Sequence, residues 1–140
     1  MRHIIVATHA HFAAGIAESL KLLAGTPVDM RTISAFVDGN DDVVKLAKSI
    51  LDSFAPDDET VVCTDLLGGS VNNTFLNVIQ RRSNVYLITN VNLPVLLTLV
   101  LTLNDEDNLE QMIRVLIASD GVRPKYCNDM LETSPNDEDF

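Results

Sequence analysis

The stretch RHIIVATH (residues 2–9), running into AHFAAGIAESLKLLAG (10–25) and on to VDMRTIS (28–34), decides the fold. Ile4, Ile5, Val6 and Ala7 form an unbroken apolar run rather than an alternating one. That pattern predicts a strand over residues 2–8 buried on both faces, as in a parallel sheet. The next segment changes period. Phe12, Ile16, Leu20 and Leu23 recur at helical spacing, which predicts a helix over 10–23. Gly25, Thr26 and Pro27 stop it. Residues 28–34 alternate and read as a strand with one more exposed face. Strand, crossover helix and strand within so few residues is the unit from which parallel sheets are built.

The remainder repeats the unit. Val43, Leu46, Ala47, Ile50 and Leu51 stripe a helix over 41–53 whose start carries Asp41 and Asp42, suited to the helix dipole. TVVCT (60–64) is a third, buried strand, and DLLGGS (65–70) is a glycine turn before a helix over 71–82. NVYLIT (84–89) is a fourth strand. Asn92 is placed to cap a fourth helix with Pro94 in its first turn, and a fifth helix runs over 109–118. The expected architecture is an open, doubly wound α/β sheet of four parallel strands in the order 2-1-3-4, with helices on both faces.

Charge and composition narrow the function. The chain of 140 residues carries a formal net charge of −10. Residues 129–140 hold Asp129, Glu132, Asp137, Glu138 and Asp139 without a Lys or Arg, so half of that charge is terminal and the body stands at −5. The expected organisation is one domain over 1–128 and a loose acidic tail over 129–140. An acidic body argues against nucleic-acid binding, which needs clustered cations. The two cysteines, Cys63 and Cys127, are far apart and form no disulfide framework; Cys63, beside Val61 and Val62, reads as a buried core thiol. The most apolar stretch, 93–103, is 11 residues long, well short of a bilayer span. No signal core is visible, so the expected compartment is the cytoplasm. No GxGxxG, P-loop lysine or acidic pair with Mg²⁺ spacing is present, so neither a cofactor nor a metal is expected.

Open parallel sheets bind ligands beyond the carboxyl ends of their strands. Strand one ends in Thr8 and His9, strand three in Thr64 and Asp65 followed by Gly68, Gly69 and Ser70, and strand four runs into Asn90, Val91 and Asn92. His9 is either a site histidine or one that only caps or packs. Asp65 either caps the glycine turn or orients the His9 ring, fixing its tautomer and leaving the other nitrogen nucleophilic. Gly68 and Gly69 let the backbone turn tightly at a helix N-terminus that suits an anion, and Ser70 adds a hydroxyl or an N-cap. His11 reads as a solvated neighbour and His3 lies at the far end of its strand. A strand-end His, a strand-end Asp and a GGS helix start together suggest a phosphohistidine site.

The segments ATHAHFA (7–13), TDLLGGS (64–70) and NVNLP (90–94) resemble the enzyme IIA component of the mannose-family phosphoenolpyruvate-dependent sugar phosphotransferase system, over roughly residues 2–122. The resemblance implies a phosphotransferase in which His9 takes a phosphoryl group from the carrier HPr and passes it to a separate IIB component, which serves sugar uptake through membrane components IIC and IID. It implies that Asp65 orients His9, that Gly68, Gly69 and Ser70 contact the phosphoryl group with Thr8 beside it, and that the chain can sit peripherally at the inner membrane face. It also implies a homodimer with a fifth, antiparallel strand near the C-terminus, here at about 122–127 with Pro124 inside it. The apolar run from Leu96 to Leu103 is then either core or subunit interface. Two other readings share the fold. One is a phosphocarrier acting on a dihydroxyacetone kinase, which the double glycine disfavours; the other is a non-enzymatic module.

Overall fold

The computed structural model describes residues 1–133. Strands β1 (Arg2–His9), β2 (Asp29–Ala35), β3 (Glu59–Thr64) and β4 (Val85–Ile88) form one sheet in the order β2-β1-β3-β4. All three pairings are parallel. In register, His9 lies opposite Ala35 of β2, and Ala7 opposite Thr64 of β3, so the carboxyl ends of the three strands come together.

The sheet divides the core in two. Ile4 and Val6 of β1, with Val61 and Cys63 of β3, pack under helices α1 (Phe12–Ala24), α4 (Leu93–Thr102) and α5 (Leu109–Ala118). Ile5, Ala7 and Val62 face the other way, under α2 (Val43–Asp52) and α3 (Ser70–Ile79). Alternation along a strand sends successive side chains to opposite faces, and the apolar run 4–7 in the middle of β1 lets both faces be dry there. Cys63 is wholly buried and its thiol is pushed up to about 12 by that burial, which makes it an inert core group.

Helix boundaries follow local chemistry. Asp42, Asn92 and Asn108 each cap their helix by accepting from the N–H three residues on, Lys45 at 3.0 Å, Val95 at 2.8 Å and Gln111 at 2.9 Å. The α1 stripe differs from its reading. Ala13, Ile16 and Leu20 are buried, while Phe12 and Leu23 are exposed. The α4 run is mostly core: Leu96, Leu99, Val100 and Leu103 are buried and Leu101 is out.

The C-terminal part departs from expectation. Residues 122–127, expected as a fifth antiparallel strand, pair with no strand among the described residues. Val122 closes a 3-10 turn (Asp120–Val122), Pro124 has no N–H to give to a ladder, and Cys127 opens α6 (Cys127–Thr133). Helix α6 also runs through the first residues of the expected tail, and residues 134–140 lie outside the described part.

The amino end of the sheet is firmly tied. Arg2 reaches Glu59 at 3.1 Å and donates to the carbonyls of Leu103, Glu106 and Asp107 at 2.6–2.8 Å. His3 is buried, its Nδ1 2.6 Å from Asp29 Oδ2 and its Nε2 2.7 Å from Asp58 Oδ2. Its ring stacks on Phe54 with centroids 3.6 Å apart and planes within 4°. The N-terminal ammonium of Met1 adds a contact to Asp58 at 3.1 Å.

Candidate phosphoryl-acceptor site at the carboxyl ends of the strands

Each strand leaves the sheet through a left-handed turn. Ala10 (φ 50°) follows β1, Phe36 (φ 68°) follows β2, Gly68 (φ 80°) lies in the turn after β3, and Asn90 (φ 57°) follows β4. Three of these four are not glycine, and a side chain in that region costs free energy. Such turns throw the chain sharply upward from the sheet and line one crevice with four loops.

His9 stands at the centre, its side chain 39% exposed. Asp65 Oδ2 accepts from the His9 main-chain N–H at 2.9 Å and lies 2.9 Å from Nδ1 of the same residue. One carboxylate oxygen therefore fixes both the backbone and the ring of His9. Partial burial would raise the Asp65 carboxyl, but the hydrogen bonds from the His9 N–H, from the His9 ring and from its own main chain outweigh it and hold it below the ordinary carboxylate value. An ionised Asp65 requires the hydrogen on Nδ1, which leaves the lone pair on Nε2. That nitrogen faces the open side, 3.2 Å from Ser70 Oγ.

The turn after β3 is built to let this happen. Gly68 takes the left-handed conformation, and Gly69 presents bare backbone to the ring: a Cβ there would come within 3.3 Å of His9 Cε1. Asn90 Oδ1 accepts from Leu67 N–H at 3.2 Å, and Leu66 O accepts from Gly69 N–H at 3.2 Å. Ser70 is the first residue of α3 rather than its cap; Gly69 is the cap, and gives the helix no side-chain acceptor. Helices α2, α4 and α5 each have an Asx cap, whereas the N-cap residue of α3, like that of α1, gives no side-chain acceptor; an anion beside the first turn of α3 would meet the positive end of the helix dipole.

The structure thus brings His9, Asp65, Gly69 and Ser70 together, with Gly68 shaping the turn. Thr8 stands apart from them. It was expected beside the phosphoryl group, but it is wholly buried, and its hydroxyl accepts from Ala13 N–H at 2.7 Å, tying β1 to α1. His11 is exposed and paired with Asp38 at 2.7 Å. Three further residues were given no role from sequence. Asn90 braces the glycine turn; Asn72 is buried and accepts from the Thr64 hydroxyl at 2.6 Å. Phe36 packs its ring on His9, centroids 5.7 Å apart and tilted by 45°. Their positions just beyond the ends of strands four and two were the available signal for Asn90 and Phe36. Among the described residues no group of three or more His, Cys, Asp or Glu is placed to hold a metal ion, and no helix is long and apolar enough to cross a membrane.

Residues 3–116 match the family model EIIA-man, the PTS system fructose IIA component. A crystallised phosphoenolpyruvate-dependent sugar phosphotransferase system permease of Klebsiella pneumoniae is 32% identical over 93% of each chain, with a TM-score of 0.83. The PTS IIA protein associated with the fucose utilization operon of Streptococcus pneumoniae is 27% identical, over 93% of this chain and 96% of that one, at 0.75. The mannose/sorbose-specific IIA subunit of Enterococcus faecalis, at 18% identity and 0.73 over 89% and 97%, shares the fold. A search of the curated proteins found no match.

Proposed function

The chain belongs to the EIIA-man family of sugar phosphotransferase-system IIA components, and from that premise we propose that it is a phosphocarrier whose His9 takes a phosphoryl group from phospho-HPr and hands it to a separate IIB component. The observation that carries this reading is the His9 ring itself. Its Nδ1 is held by Asp65 at 2.9 Å while Nε2 faces the crevice.

In the forward step the Nε2 lone pair attacks the phosphorus of the donor's phosphohistidine. The donor P–N bond breaks, its electron pair stays on the donor imidazole, and a new P–Nε2 bond forms. The hydrogen stays on Nδ1 and is donated to the Asp65 carboxylate, whose charge offsets the cationic character that the phosphorylated ring gains. The transition state is loose, so the site's work is positioning and charge stabilisation. Ser70 Oγ and the bare N-terminus of α3 supply donors to the phosphoryl oxygens. The second transfer, to a IIB histidine, is the same step with the roles exchanged. This chain would act in the cytoplasm, meeting IIC and IID only through IIB or at the inner membrane face. Exposed Leu101, Val115 and Ile117 on α4 and α5 favour a homodimer, which sedimentation at micromolar concentration checks.

The test is incubation with phosphoenolpyruvate, enzyme I and HPr. The expected product is an acid-labile, base-stable phosphate on the wild-type chain and none on His9→Ala; labelling of both at the same rate rejects the assignment.

A further inference from the structure

We propose that Phe36 is a positioning residue of the phosphoryl site: its ring holds the His9 imidazole in place and shields the phosphorylated imidazole from water. The proposal rests on His9 as phosphoryl acceptor.

Phe36 breaks two rules at once. A bulky residue at φ 68° is strained, and a phenyl ring left 46% exposed forgoes much of its burial. Neither cost is returned by the core, since Phe36 belongs to neither apolar cluster. What it does touch is His9. The register explains how. His9 pairs with Ala35, and Ala10 N–H donates to Ala35 O at 2.9 Å, so the residue after Ala35 emerges beside the imidazole.

The loop that carries Phe36 is braced. Phe36 N–H donates to Asn40 O and Asn40 N–H to Val37 O, both at 2.9 Å, and the Asn40 side-chain amide donates to Ser34 O at 3.1 Å. Asp38, also left-handed at φ 55°, reaches His11 Nε2 at 2.7 Å and ties the loop to the start of α1. The backbone that carries the ring is therefore fixed relative to the strand end, which sets the ring beside His9.

Its value lies in the intermediate. A phosphoimidazole is lost when water attacks phosphorus, the P–Nε2 bond breaks, inorganic phosphate departs and the ring nitrogen keeps the electron pair. An apolar ring beside the imidazole removes part of the approach open to water and restricts rotation of the ring. A protein partner that covers the crevice displaces the remaining water, so transfer is spared while hydrolysis is slowed.

The test uses phosphoramidate, a small phosphoryl donor, so that no protein partner is needed. Wild type, Phe36→Gly, Phe36→Ala and Phe36→Leu are loaded, freed of donor, and followed by phosphorus NMR, with His9→Ala identifying the His9 signal. Phospho-His9 is expected to hydrolyse about three- to tenfold faster in the Gly and Ala variants, and within about twofold of wild type in Leu. Phe36→Gly separates the ring from the backbone. Glycine relieves the left-handed strain, so its Tm should equal or exceed that of wild type while the intermediate becomes short-lived. Equal lifetimes in all four chains overturn the proposal and leave His9 as acceptor. Failure to label His9 in the wild type overturns both.

Discussion

Two histidines sit on the same strand, one at each end, and both face aspartates. His3 has a carboxylate on each nitrogen and a phenyl ring stacked on its face, and it is buried. His9 has a carboxylate on one nitrogen, a hydroxyl near the other, and 39% of its side chain in the open. A His–Asp contact therefore does not by itself make a nucleophile. What distinguishes the carboxyl end of the sheet is the nitrogen that no carboxylate occupies.

The contrast is sharpest in a pair of substitutions. His9→Ala is expected to reduce phosphoryl uptake by at least about a thousandfold with little change in Tm. His3→Ala should do the reverse. Losing the stacked, doubly bonded ring should cost on the order of 2–4 kcal/mol of stability, with uptake per folded molecule unchanged. Labelled-phosphate assays beside thermal melts check both, and a folded His3→Ala chain that takes no phosphate would erase the distinction. Asp65→Asn comes next. It keeps an acceptor near the ring but not the charge, and transfer should slow by roughly 10²–10³-fold; a rate equal to wild type would show that the aspartate only shapes the turn. Ser70→Ala is milder, roughly tenfold in transfer rate, read by quench-flow with phospho-HPr.

The smallest effect is in acid. Burial would raise the Asp29 carboxyl, but hydrogen bonds from Arg31 and His3 hold it below the ordinary 3.8; the His3 hydrogen bond and the N-terminal ammonium do the same for Asp58. Asp65 is lowered as well. A carboxyl lowered in the folded state adds stability above its unfolded pKa of about 3.9 and loses it as pH falls through the lower folded value. Urea midpoints should thus drop between pH 5 and pH 3. Asp29→Asn or Asp58→Asn should flatten that limb more than Asp65→Asn, since both carboxylates face the buried His3 ring. Equal flattening by all three would break the assignment of acid sensitivity to the amino end.

Much of this was legible in the residues. The continuous apolar run 4–7 against the helical spacing of 12–23 announces the parallel unit, and Asn92 with Pro94 marks the α4 start where it is found. The site was legible as strand ends: His9, Asp65 and Ser70 converge because parallel strands all deliver their carboxyl ends to one side. Thr8 was named from the resemblance alone; alternation turns it into the fold, where its hydroxyl accepts from Ala13 N–H in the first turn of α1. The backbone conformation of Phe36, Ala10 and Asn90 was opaque for another reason. Left-handed turns are expected at glycine, and these residues take that conformation without being glycine. The strand that the resemblance implied for 122–127 is absent among the described residues, where Val122 closes a 3-10 turn and Cys127 opens α6; a strand needs a hydrogen-bonding partner, which no local pattern encodes.

The sheet that splits the core also splits the protein's tolerance to change. Ile4 and Val6 answer to one set of helices, Ile5 and Ala7 to another, and the backbone of β1 is all they share. Substitutions on opposite faces have few common neighbours, so their effects should add, while those on one face should interact. A mutational scan of this chain would then fall into two blocks of epistasis with little correlation between them. They should meet again only at His9, where a strand between both blocks delivers the imidazole.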